Sequence, residues 1–174
     1  MACKYLIFAG TKFQLNYKHT HMYSRAEASQ LKHEFWIAFG RYISLNYSSE
    51  GMKINWVNYH TGYKYVSFRM EADQKKAEIS IQLTHPDALM RELYFDKFMS
   101  FRAIISDALN EAWEWEAETA DESGKPISKI HTAMQRVNVY DKNTWPEIIS
   151  FLKPRIIALD EVWNDIKDAF EELR

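Results

Sequence analysis

The chain reads as an α+β protein, with an antiparallel sheet of about five strands and three long helices in the order α-βββ-α-ββ-α. Three observations predict this. From Thr144 to Leu173 apolar residues recur alternately three and four apart, which keeps one stripe on a single helix face. Between Lys53 and Leu83 the period changes to two, broken by short polar turns. Each of the three helical stretches opens on a Ser/Thr-x-x-acid signature, at Ser24, Thr84 and Thr144.

The elements follow in order. Residues Met1–His21 carry Lys4, Lys12 and Lys18 with no acid, and they show no sustained period. They are expected to be an N-terminal extension (residues 1–21), with a single α+β domain over residues 22–174. The other reading of this segment makes Lys4–Ala9 an edge strand. Ser24 and Glu27 form a capping box for a first helix over about Arg25 to Leu45, with Leu31, Phe35, Phe39, Tyr42 and Ile43 at helical spacing. The turn composition of Asn46–Gly51 ends it.

A meander of three strands comes next, at Lys53–Tyr59, Tyr65–Glu71 and Glu78–Leu83. Val66, Phe68, Met70, Ile79, Ile81 and Leu83 share one face, which predicts a sheet with one apolar and one polar side. Thr84 and Asp87 cap a second long helix that runs to about Asn110, with Pro86 in its first turn. Residues Glu111–Thr119 admit two readings: propensity alone extends the helix through Ala112–Glu116, but Trp113, Trp115, Ala117 and Thr119 alternate with Glu114, Glu116 and Glu118, which is strand period and favours a hairpin. Asp121–Lys125 is then a hairpin loop and Ile127–Val137 the return strand, with Lys125, Lys129 and Arg136 near the acidic face of the first. The last helix starts at Thr144, with Pro146 in its first turn, and Pro154 inside it is expected to bend it.

Composition narrows the class of protein. The chain has 174 residues, 47% hydrophobic and 15% aromatic, so it can bury a core and is not of disordered composition. Its one cysteine, Cys3, excludes an internal disulfide and fits a cytoplasmic location. The apolar run Tyr5–Gly10 is too short to span a membrane or form a signal-peptide core. The net charge is −2, and without Lys4, Lys12 and Lys18 it becomes −5, from 19 basic and 24 acidic side chains. That balance argues against nucleic acid as a partner. A soluble protein with no membrane association is expected.

The pieces Met22–Ala28, Glu34–Gly40 and Asn143–Glu147 resemble the family catalogued as domain of unknown function 4268. The resemblance covers Met22 to Leu173 and omits the first twenty-one residues. It implies a bacterial context, either standalone or following nuclease-like regions, and it brings no site residues with it.

The candidate chemistry lies on the polar sheet face, where Tyr65, Arg69, Glu78 and Gln82 align. Helix, strands and helix also open the core of PD-(D/E)xK nucleases, which need two carboxylates for Mg²⁺ and a nearby lysine. Glu78, with Glu71 and Asp73 at the strand end, is the weak match, because Ser80 stands where that lysine is required. The competing reading makes these positions solvated and inert. The six histidines lack the pairing that zinc requires, so no metal site and no cofactor are expected. The six tryptophans read as core. The last helix's stripe packs within the domain or forms the seam of a homodimer. The favoured function is a non-catalytic binding or interaction module with an unidentified protein partner. The alternative is a divergent PD-(D/E)xK-like metal-dependent nuclease.

Overall fold

The computed structural model describes residues 23–173. The readings of residues 1–21, as an extension or as a Lys4–Ala9 strand, lie outside the described residues. Helix α1 spans Arg25–Ile43, strands β1 and β2 are Val66–Ala72 and Lys76–Leu83, and helices α2 and α3 are Ala88–Ser100 and Arg102–Leu109. Strands β3 (Glu114–Ala120) and β4 (Pro126–Gln135) form the hairpin, and α4 spans Trp145–Ile166. The sheet is wholly antiparallel with the order β1-β2-β4-β3, so β4 inserts between β2 and its own hairpin partner. Among the described residues, four strands and four α-helices stand where five and three were expected.

The missing strand is Lys53–Tyr59, which has no ladder. Its alternation is real, but the inward residues anchor an irregular segment. The buried Trp56 donates its indole N–H to the Asn46 carbonyl at 3.1 Å, and Tyr59 stacks on Phe68 with ring centres 5.1 Å apart. The Asn55 side chain accepts the Asn58 amide at 3.2 Å, a local bond that competes with strand pairing.

The extra helix comes from a break at Phe101, whose backbone (φ −101°, ψ 8°) is not helical. The break lets Phe101 pack near Phe170 and re-aims α3, which buries Ile105 and packs on α4. Asn110, in the left-handed region at φ 49°, ends α3 where expected.

Of the three cap signatures one holds in full. Ser24 accepts the Glu27 amide while the Glu27 carboxylate accepts the Ser24 amide. The second helix is capped by Asp87 rather than Thr84, and Pro86 precedes the cap. Thr144 spends its hydroxyl on the carbonyls of Asn138 and Asp141 and caps nothing. Pro146 does lie in the first turn of α4, and α4 tightens into a 3₁₀ stretch over Lys167–Leu173.

The α4 stripe is the core. Leu152, Ile156, Leu159, Trp163, Ile166 and Phe170 are buried, joined by Ile148, Phe151 and Val162 from the flanking rows. α4 lies on the apolar face of β1 and β2, so the seam proposed for a homodimer is buried in the chain's own core. Trp163 stands at its centre. Its ring meets Tyr63, Phe68, Phe98 and Phe170, and its indole N–H donates to the Thr61 carbonyl at 2.9 Å. Trp163→Ala therefore costs about 3–5 kcal/mol, the scale for deleting a buried aromatic. Urea denaturation measures it, and a loss below about 0.5 kcal/mol, typical of a surface position, overturns the assignment.

Candidate functional site

Strand pairing brings the polar residues together. Glu71 lies opposite Glu78, Arg69 opposite Ser80, Gln82 opposite Lys129, and Ser80 opposite His131. Glu116 pairs with Lys129, one of the three cations expected near the acidic face of the hairpin, while Arg136 lies beyond the end of β4. One extra residue in β3 between Glu116 and Thr119 forms a bulge there, and the Ser128 hydroxyl donates to the Ala117 carbonyl inside it at 2.6 Å. The hairpin loop then helps to wall a concavity of about 480 Å³. Lys32 of α1, Arg69 and Glu71 of β1, Glu78 and Gln82 of β2, and Lys129 of β4 line it, with Asp73 at its end.

Glu78 is the centre of this face. Its side chain is 2% exposed, with the Lys76 ammonium 2.6 Å away and Lys129 in direct ion-pair contact. β2 is covered even on its polar side, where Lys76 and Lys129 contact Glu78 and the Gln82 side chain donates to the Ser80 hydroxyl. The reading of these positions as solvated is therefore corrected: Glu78 and Ser80 are buried. Burial alone would raise the Glu78 carboxyl, yet hydrogen bonds from Lys129 and Lys76 outweigh it and hold it below its ordinary 4.5. Glu71 moves the other way, raised first by burial and then by Glu122 and Glu78. The two facing carboxyls are thus pushed apart in acidity.

His131 sits between acids. Its Nδ1 is 3.7 Å from Glu78, and its Nε2 is 3.7 Å from Glu114 and 3.6 Å from Glu116. Neither ring nitrogen makes a hydrogen bond among the described residues. Among those residues no cluster of three or more His, Cys, Asp or Glu has the geometry to hold a metal ion.

Of the candidates, Arg69, Glu78 and Gln82 meet at the concavity together with Glu71 and Asp73. Tyr65 does not join them, since its ring packs 4.2 Å from His85 beyond the end of β2. Asp73 faces inward on its own turn, accepting the amides of Lys75 and Lys76. Sequence reasoning missed Lys76, His131 and the buried Asp160. Asp160 accepts the Ser49 amide at 2.5 Å and the Tyr59 hydroxyl at 2.7 Å, tying the loop before β1 to α4. Burial, and then Asp160, push the Tyr59 hydroxyl far above its ordinary value. An acid inside an apolar stripe was the available signal.

The fold and site define an α+β module with one apolar sheet face under helices and one charged face whose central acid is internally paired. No helix among the described residues is long and apolar enough to cross a membrane. The chain belongs to the family described as Domain of unknown function (DUF4268), whose model matches residues 31–167. That span holds the whole sheet and most of the helical layer. Comparison with curated proteins and with solved structures found no match.

The pairing of Glu78 carries a pH signature. A carboxyl whose folded value is depressed contributes stability above 4.5, and that contribution is lost as pH falls through the folded value. Glu78→Gln is expected to cost about 3 kcal/mol at neutral pH, the scale for removing one partner of a buried pair. The difference from wild type should shrink as pH drops below 4.5. Denaturant melts across the acid range measure it, and a pH-independent difference would remove the ion-pair account.

Proposed function

We propose that the chain is a non-catalytic binding or interaction module whose polar sheet face receives a protein partner. The setting is the bacterial cytoplasm, in an accessory role to nucleic-acid processing or defence. One observation carries this reading: the most deeply buried acid of the face, Glu78, is held ionised and neutralised by Lys76 and Lys129. A carboxylate clamped in this way is neither a free general base nor an open metal ligand. The rim supports the same reading. Lys32 and Arg69 line the concavity together with Asp121 and Glu122, a mosaic of both signs that suits a protein surface better than a polyanion.

The second reading, a divergent PD-(D/E)xK-like metal-dependent nuclease, keeps one observation in its favour. Glu71 faces Glu78 across the ladder with Asp73 at the same strand end. Against it, the nearby lysines are bound to Glu78, and Ser80 occupies the position the motif gives to lysine.

Two experiments test the proposal. Purified protein is expected to leave DNA and RNA intact with Mg²⁺ or Mn²⁺, and cleavage that disappears in Glu78→Gln would falsify the binding-module reading. Crosslinked affinity capture from the native host, with wild type and a Lys32→Glu, Glu122→Lys variant of equal stability, addresses the surface. A protein held by wild type and released by the variant is expected. Equal recovery by both moves the interface off this face.

A further inference from the structure

β3 is the exposed edge of the sheet. None of its residues is buried, whereas Phe68 and Ala72 are buried in β1 at the other end of the strand order. The ladder fixes which of its main-chain groups stay open. The Arg136 amide donates to the Lys75 carbonyl, so even-numbered residues of β4 bond to β2 and odd-numbered ones turn to β3. Glu114 with His131 and Glu116 with Lys129 are therefore the bonded pairs, and Trp115 between them turns its N–H and C=O outward. Neither group takes a hydrogen bond among the described residues. The bulge ends this stretch, where the Ala117 carbonyl accepts the Ser128 hydroxyl.

The two sides of this edge differ in chemistry. On the polar side Glu114 and Glu116 flank Trp115, with side chains 79% and 43% exposed. Among the described residues neither meets a lysine or arginine in an ion pair, and the His131 ring lies 3.7 and 3.6 Å from them. Lys129, opposite Glu116 in the ladder, gives its ammonium to Glu78. On the apolar side the Trp115 ring meets Phe95, with centres 6.0 Å apart, and Arg102 rests 5.5 Å over it. A groove of about 540 Å³ opens beside it, between α2 and the bulge. Leu89, Phe95 and Ala117 give this groove an apolar lining, and Glu92, Asp96 and Glu118 share it. Its one cation, Arg91, is buried and donates to the His85 carbonyl.

We propose that the β3 edge takes up an extended basic segment of a partner protein, which adds a strand to the four-stranded sheet. The partner residue opposite Trp115 then exchanges two main-chain hydrogen bonds with it and points its own side chain to the apolar side. Its two neighbours stand opposite Glu114 and Glu116, where lysine or arginine completes close cross-strand pairs. The next residue beyond Glu116 returns to the apolar side, at the groove beside α2. The sequence that fits is thus an alternation of cation and apolar residue. A second copy of β3 does not supply it, because a two-fold register centred on Glu114, Trp115 or Glu116 sets acid against acid. The acids that guard the edge against self-pairing therefore select a basic strand. Glu114, Trp115 and Glu116 do not line the concavity, so the edge and the polar face are separate surfaces and each can fail its own test.

Fluorescence anisotropy of the full chain with a labelled, acetylated and amidated heptapeptide of alternating lysine and valine tests this. Saturable binding is expected, and the bound peptide should slow hydrogen exchange at the Trp115 amide. A peptide of the same composition with its lysines in one block should bind about tenfold more weakly. So should one methylated at the central valine nitrogen, which removes the donor to the Trp115 carbonyl. The double variant Glu114→Lys, Glu116→Lys should bind the lysine peptide about tenfold more weakly and gain affinity for a glutamate–valine alternation. If that variant fails to fold, the methylated peptide and the Trp115 exchange decide. No saturable binding overturns the proposal, and so does equal affinity for the block sequence, which is charge attraction alone. Binding unchanged in the double variant places the peptide elsewhere and also overturns it. If sedimentation velocity shows the full chain pairing with itself and the lysine peptide dissolving that dimer, the occupant is a second copy and the proposal falls.

Discussion

Trp163 is the point at which the helices, the sheet and the long loop are held together. Its ring touches Phe68 from β1, Phe98 from α2, Phe170 from the 3₁₀ stretch and Tyr63 from the segment before β1. Aromatic pairs of this kind add directional preference to the burial they bring, so a cluster of them sets orientation as well as contact. The indole N–H would be costly to bury alone, and the Thr61 carbonyl satisfies it. Thr61 in turn accepts the Tyr63 amide and closes the first residue of β1. One side chain thereby couples the packing of α4 to the start of β1.

With the apolar face committed to α2 and α4, the chemistry of the molecule falls to the other face and to the strand edges. The central position of β2 puts Glu78 under the side chains of both neighbouring strands, and a buried charge is tolerable only when paired. Lys76 and Lys129 meet that need from two strands. The result is a face whose central acid is neutralised within the chain.

Glu71 and Glu78 show how context separates identical side chains. They stand opposite one another, yet one gains two lysines and the other gains acidic neighbours. Glu71 is the member left without an ion pair among the described residues, and it lies on β1, at the end of the strand order.

What the sequence determined by itself was local. The Ser24–Glu27 box, the β1–β2 hairpin, the β3–β4 hairpin and the apolar stripe of α4 all involve residues close in the chain, where periodicity and capping chemistry are decisive. The placing of Lys129 near the acidic face of β3 was legible for the same reason, because a short loop sets the register, whereas Arg136 lies beyond the end of β4. Tertiary structure decided the rest. The insertion of β4 beside β2 brought Lys129 and His131 to Glu78, and no local pattern encodes which strand becomes the neighbour. Lys53–Tyr59 alternates like a strand, but Trp56, Tyr59 and Asp160 bind it to the core by side chains, so its backbone never joins the ladder. The break at Phe101 has no glycine or proline to announce it, since it serves the packing of Phe101 and Ile105 around α4. Each of these outcomes turns on contacts between residues distant in sequence, whose energies exceed the small local preferences that a sequence displays.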